Sequence, residues 1–166
     1  MEDCRSMTTP MITNWKKIHA SKGEFVDPTL YHHLIGSLMY LVNTRPNLCF
    51  AVNTLSQFMV EPRSVHWLVA KHVLRYLSGT VDFGLDYTRS NGIRLVGFTD
   101  SDWAGSVADR KSTYGCCFSL GSAALLQFSQ KQKFVALSSA EAKYMAANQA
   151  SCEVMWLRKL LVNLFG

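Results

Sequence analysis

The chain has 166 residues, 48% hydrophobic and 17% charged, with five cysteines and a formal net charge of +5. That size suits one ordinary globular domain, or one domain with part of another. The odd cysteine count, with no CxxC pair, argues against a disulfide framework or a zinc site, and no run of about 18 apolar residues offers a membrane span. The mild basic excess permits a polyanionic partner without demanding one.

The start, "MEDCRSMTTPM", has no apolar core of signal-peptide length and is acidic at its front. A cytoplasmic or nuclear location is therefore expected. Residues 1–26 are weakly patterned and read as an irregular arm. At "VDPTLYHHLIGSLMYLV" a helix start is well marked, with Asp27 as cap and Pro28 in the first helical position. Leu30, Leu34, Leu38 and Leu41 recur at helical spacing, widened by Ile35 and Val42. Pro46 opens a second helix with Leu48, Val52, Leu55 and Met59 on one face, and Pro62 ends it. Ser64 is the predicted cap of a third, with Val65, Val69, Val73 and Leu77 inward and Gly79 as the stop. Residues 27–80 are thus expected to form a small bundle of three helices.

The period then changes to alternation. "FGLDY" and "IRLVGFTD" are strand-like and joined by a turn at Asn91-Gly92. "TYGCCFSL" and "ALLQFSQ" predict two more strands, with Gly121 in the turn between them. Adjacent Cys116 and Cys117 would point to opposite faces. The last segment, from "LSSAEAKY" onward, is one long helical pattern. Ala142, Met145, Ala146, Ala150, Leu157, Leu160, Leu161 and Leu164 line one side of it. The fold class that follows is mixed α/β (α+β), a helical bundle followed by a sheet with a long packed helix.

Three acids stand out. Asp100 and Asp102 end the strand in "GFTDSDWAG", where they either make turn hydrogen bonds or hold a ligand. Glu141 lies in "SSAE", a capping-box pattern with Ser138 as cap. That explains it structurally, yet a strand end and a helix start can also meet and hold a divalent metal between carboxylates. His32 with His33, and His66 with His72, lack the spacing of a helical metal site. Trp67, Trp103 and Trp156 read as core anchors, with Trp103 of added interest beside the acids.

The strings "GFTDSDWAG", "DRKSTYG" and "LSSAEAKY", in that order, closely resemble the ribonuclease H region of copia-type LTR retrotransposon Pol polyproteins. "YHHLIGSLMYLVNTRPNLCFAV" and "HWLVAKHVLRYLSGT" resemble the helical thumb and connection before it, and "DCRSMTTPM" resembles the tail of the reverse-transcriptase palm. The resemblance implies a palm remnant at 1–26, a thumb/connection at 27–80 and a truncated ribonuclease H-like domain at 81–166. The family's sheet is five-stranded and mixed. The implied reaction is cleavage of the RNA strand of an RNA–DNA hybrid with two magnesium ions, one activating water and one stabilising the leaving oxygen. Asp100 matches the first catalytic aspartate and Glu141 the glutamate that opens the long helix, so both are implied as catalytic metal ligands. Asp102 is a further metal-ligand candidate. Arg110, Lys111 and Ser112 match a family segment assigned here to phosphate contact, and Lys131 and Lys133 join them as nucleic-acid-binding candidates.

Two departures temper what the resemblance implies. Lys143 stands where the family usually has an acid, and the chain stops at "LLVNLFG", before the strand that carries the family's third catalytic aspartate. Weak or single-ion magnesium binding, salt-sensitive binding to an RNA–DNA hybrid or other nucleic acid, and no cleavage by the chain alone are the expectations. The partners expected are nucleic acid, the missing polyprotein segments or a second copy at an open sheet edge, and no membrane. The alternative is a repurposed, effector-like interaction protein without catalysis.

Overall fold

Asp27 and Pro28 begin the first helix by the expected chemistry. In the computed structural model, which describes residues 4–12, 23–88, 94–106 and 108–165, Asp27 Oδ1 accepts the Thr29 N–H at 2.8 Å. Helix α1 (Pro28–Val42) follows, with Pro28 at its first turn. A 3-10 turn at Pro46–Leu48 leads into α2 (Cys49–Ser56), and α3 spans Ser64–Ser78 with Gly79 as its C-cap. The start of α3 differs from expectation by one residue. Arg63 is the N-cap, and its N–H donates to His66 Nδ1 at 3.1 Å.

These helices belong to one compact unit, Met1–Gly84, and share one core. Tyr31, Ile35 and Leu38 of α1 meet Leu48, Val52 and Leu55 and the α3 residues Val69 and Val73. The buried face of α1 is rotated from the expected leucine stripe, since Leu30 is 57% exposed and Tyr31 fully buried. The cause is a satisfied hydroxyl. Tyr31 Oη donates to the Leu55 carbonyl at 2.9 Å, so the ring is buried without an orphaned polar atom.

The second unit, Leu85–Gly166, holds a three-stranded antiparallel sheet and a long helix. Its strands are β1 (Leu95–Ser101), β2 (Thr113–Leu120) and β3 (Ala123–Lys131), in the spatial order β1-β2-β3. Gly121 makes the β2–β3 turn with φ 61°, a conformation that glycine adopts at no steric cost. In the β1–β2 register Leu95 faces Leu120, Gly97 faces Phe118 and Asp100 faces Gly115. Along β2, Tyr114, Cys116 and Phe118 are buried, whereas Cys117 between them is only half-buried, as alternation requires.

Helix α4 (Ser139–Phe165) covers the buried side of this sheet. Ala146, Ala150, Val154 and Leu157 pack on Leu95, Tyr114, Cys116, Phe118, Leu126 and Phe128. The expected stripe runs too far, since Leu160 and Leu164 are 39% and 65% exposed, and it omits Val154. Gly97 is where the helix and sheet leave no room. A Cβ there would lie 2.7 Å from the Phe118 ring and 3.7 Å from Val154 Cγ2.

Residues 83–87, expected as a strand, are irregular. Alternation alone cannot make a strand without a partner ladder. Here the chain is instead tied to the β2–β3 turn by Thr88, whose N–H and Oγ1 both meet Ser122 Oγ. The expected Asn91-Gly92 turn lies outside the described residues. The unit is mixed α/β, and its sheet fits part of a ribonuclease H-like sheet.

Candidate functional site

The acids sit where β1 runs out. Asp100 belongs to the row Val96, Phe98, Asp100, while Leu95 and Gly97 of the alternate row meet the core under α4. Its carboxylate is 85% exposed, and its partner is Lys143 in the first turns of α4, Nζ to Oδ1 3.8 Å. Both groups are well solvated, so this pair contributes little to stability.

Asp102, one residue past the strand, is committed to the backbone. Its Oδ1 accepts the Thr113 N–H, and its own N–H donates to the Thr113 carbonyl at 3.0 Å. Its other oxygen closes on Gly105, where any Cβ would collide with Asp102 Oδ2. The side chain thus fastens the loop joining β1 to β2. Glu141 serves the start of α4. Its N–H donates to Ser138 Oγ at 3.1 Å, and its Oε2 accepts the Leu137 N–H at 2.6 Å. The capping box forms with its carboxylate one residue further back than the ideal pattern.

The β1–β2 loop carries Arg110 and Lys111, while Lys131 ends β3 and Lys133 follows it. Ala104 and Arg110 have φ of 52° and 56°, the left-handed region that side chains other than glycine rarely adopt. The loop is held by Ser106 N–H to the Lys111 carbonyl and by Arg110 N–H to the Ser106 carbonyl. Asp109 anchors it from beneath. It accepts the Lys111 N–H and pairs with Lys131 Nζ at 2.9 Å. Hydrogen bonds from Ser106 first and then Lys131 lower its pKa to about 2. Arg110 and Lys133 are exposed, and Lys111 and Lys131 half-buried.

Ser112 corrects one expectation. It is fully buried, and its Oγ accepts the Ala104 N–H at 3.1 Å, so its hydroxyl holds the loop and cannot reach a phosphate. Trp103 is 53% exposed with its indole N–H donating to the Ala136 carbonyl at 3.1 Å, and Trp156, expected in the core, is 55% exposed. Two tethers were missed by sequence reasoning. Gln132, buried, donates from Nε2 to the Ala142 carbonyl and from its backbone N–H to the Ser112 carbonyl, both at 2.8 Å. Asp109 is the other; the Asp-Arg-Lys string carries a turn signal that would have found it.

Against known proteins, the match is long. The chain is 42% identical over 164 residues to the retrovirus-related Pol polyprotein from transposon RE2 of Arabidopsis thaliana, covering 99% of this chain and 11% of that protein. It is 42% identical over 135 residues to the Pol polyprotein from transposon TNT 1-94 of Nicotiana tabacum, 81% of this chain and 10% of that one. The chain belongs to the copia-type retrotransposon Pol family. It spans about a tenth of the length of these Pol polyproteins. It is also 48% identical over 128 residues to secreted RxLR effector protein 161 of Plasmopara viticola, 76% of this chain and 90% of that protein. No protein-family model and no solved structure matches it.

For a Pol family chain the question is whether these side chains fit a metal pair. Among the described residues, no group of three His, Cys, Asp or Glu side chains is placed to hold a metal ion. Each acid is also engaged: Asp102 with Thr113, Glu141 with Leu137, and Asp100 beside an ammonium. The donor set does not fit two magnesium ions, each of which needs about six oxygens. Among the described residues, no helix is long and apolar enough to cross a membrane.

Proposed function

We propose that Leu85–Gly166 is a ribonuclease H-like, nucleic-acid-binding portion of a copia-type Pol polyprotein that does not cleave by itself. The observation that supports this most is the pairing of an acid-ended strand with a loop held rigid by Asp102, Asp109 and Ser112 so that Arg110 faces solvent. Such a loop presents fixed cations to a phosphate backbone, with Lys111, Lys131 and Lys133 adding to the field. The ancestral reaction is cleavage of RNA in an RNA–DNA hybrid, in which Asp100 and Glu141 are the catalytic carboxylates. With only these two acids left over from loop fastening, at most one loosely held magnesium ion fits.

The test is a labelled RNA–DNA hybrid incubated with the purified chain and magnesium. The expected outcome is retention of the hybrid at low salt, lost as salt rises, with no shortened RNA. Cleavage by the chain that Asp100→Asn stops would overturn the proposal.

A second reading is favoured by the likeness to the effector protein, which spans three quarters of this chain. In that reading the chain acts as an interaction protein through its surface. A folded chain that fails to retain any nucleic acid at low salt would favour it.

A further inference from the structure

Two segments of Leu85–Gly166 are fastened to each other at both ends. The Gln132 N–H donates to the Ser112 carbonyl at 2.8 Å, and the Trp103 indole N–H donates to the Ala136 carbonyl at 3.1 Å. The β1–β2 loop and residues 132–136 are thereby held side by side as one platform. Residues 132–136 leave β3, which β2 separates from the outer edge of β1, so their exposure does not depend on what pairs with that edge. Four cations, Arg110, Lys111, Lys131 and Lys133, stand on the platform against two acids, Asp102 and Asp109. Both acids are engaged, Asp102 with the Thr113 N–H and Asp109 with Lys131. The charge left over is positive.

Two rings stand open on this cationic ground. Trp103 is half-exposed, and Phe134, next to the exposed Lys133, is 71% exposed. We propose that the platform takes unpaired nucleotides of a single-stranded nucleic acid, with phosphates against Arg110 and Lys133 and bases stacked on Trp103 and Phe134. This rests on the reading of Leu85–Gly166 as a nucleic-acid-binding portion and adds to it what happens where a strand leaves the duplex. Aromatic faces beside a positively charged track hold single strands, because every base has a face to stack. A duplex keeps its base faces inside the stack, so only unpaired or terminal bases can use the rings. The indole N–H is already given to Ala136, which is buried, so Trp103 is held in place and offers a base its face rather than a hydrogen bond. Binding without edge contacts carries no base preference. A polyanion is the partner that suits this surface, since its acids are engaged and its remaining charges are cations.

The consequence is a preference for junctions. A blunt hybrid engages the cations alone, whereas a hybrid with a single-stranded extension engages cations and rings together.

Fluorescence anisotropy of the full chain with labelled RNA–DNA hybrids tests this, comparing a blunt hybrid, one with a short unpaired extension and one whose extension lacks its bases. The base-bearing extension is expected to tighten binding by about tenfold over the blunt hybrid, whichever base it carries, and the abasic one by much less. Trp103→Ala and Phe134→Ala should each remove most of that gain, while Phe134→Tyr, which keeps a ring, should retain it. Trp103→Ala also loses the tether to Ala136, so the variants of Phe134, an exposed side chain, decide the matter if that chain fails to fold. A blunt hybrid bound as tightly as the extended one overturns this proposal and leaves the nucleic-acid reading standing. So does a full gain from the abasic extension, which would assign the preference to phosphates, and so does a gain indifferent to Phe134→Ala. A folded chain that retains none of the hybrids overturns both readings and leaves the rings to a protein partner.

Discussion

Gly97 illustrates how one residue can set the spacing of a layer. It lies on β1 opposite Phe118, and its missing side chain is the space that the phenyl ring fills. Gly97→Ala should destabilise Leu85–Gly166 by about 1–3 kcal/mol, the usual cost of overpacking a tight core. Urea denaturation followed by far-ultraviolet dichroism measures it, and an unchanged midpoint would show that Phe118 can turn away. His66 makes a different kind of demand. It is buried, stacks on Phe58 with ring centroids 3.9 Å apart, and accepts the N–H of Arg63. Burial, and then the charge of Arg63, lower its pKa from 6.5. The native imidazole stays neutral while the unfolded one protonates, so native stability is insensitive to His66 above pH 6.5 and falls as pH drops below it. The fall stops once the pH passes the lower native value. It should reach at most about 1.4 kcal/mol per pH unit. Denaturation of Met1–Gly84 at several pH values, compared with His66→Asn, which keeps an acceptor but does not titrate, should show the dependence only in the parent chain.

The elements were legible to different depths. The start of α1 was readable because its cap, Asp27 and Pro28, is local chemistry. β2 and β3 were readable because alternation and a glycine turn are local too, and the long helix begins at Ser139 as its capping pattern indicates. What failed was non-local. The inward face of α1 turned on the Tyr31 hydroxyl finding the carbonyl of Leu55, 24 residues away. The strand expected at residues 83–87 lacked a neighbour, which no pattern within the segment can reveal. At the site, the positions of the acids could be read along the chain, but their hydrogen-bond partners could not. Asp102 meets Thr113 and Asp109 meets Lys131 only after the sheet has formed. The β1–β2 loop itself is testable as an element. Ser112→Ala leaves the Ala104 N–H without its acceptor and should cost about 1–3 kcal/mol. Arg110→Gly removes a left-handed side chain and should be neutral or stabilise by up to about 1 kcal/mol, offset by glycine's larger unfolded-state freedom. Opposite signs for two changes in one loop, measured by the same urea titration, would separate packing from backbone strain.

At the scale of the whole molecule, a net charge of +5 is modest, so affinity for nucleic acid should come from a few cations rather than from a broad field. The logarithm of the binding constant should fall linearly with the logarithm of salt concentration. Arg110→Ala and Lys133→Ala should each reduce that slope by about 0.7–0.9, one released counterion apiece. Lys131→Ala should change it less, because Asp109 already neutralises that ammonium. Fluorescence anisotropy with a labelled hybrid at several salt concentrations gives the slopes. Slopes unchanged from the parent chain in the Arg110 and Lys133 variants would mean that these cations are not the contact.

The distribution of thiols has a practical corollary. Cys49 is buried in Met1–Gly84 and Cys116 in Leu85–Gly166, and burial raises the pKa of Cys116, which further slows its alkylation. Cys4 and Cys152 lie open. Once the open thiols and the half-buried Cys117 are capped, each unit keeps one buried sulfhydryl that a reagent reaches only when that unit opens. A pulse of iodoacetamide followed by peptide mass spectrometry would then act as two separate clocks, timing the opening of the helical unit and of the sheet unit in a single tube without an added label.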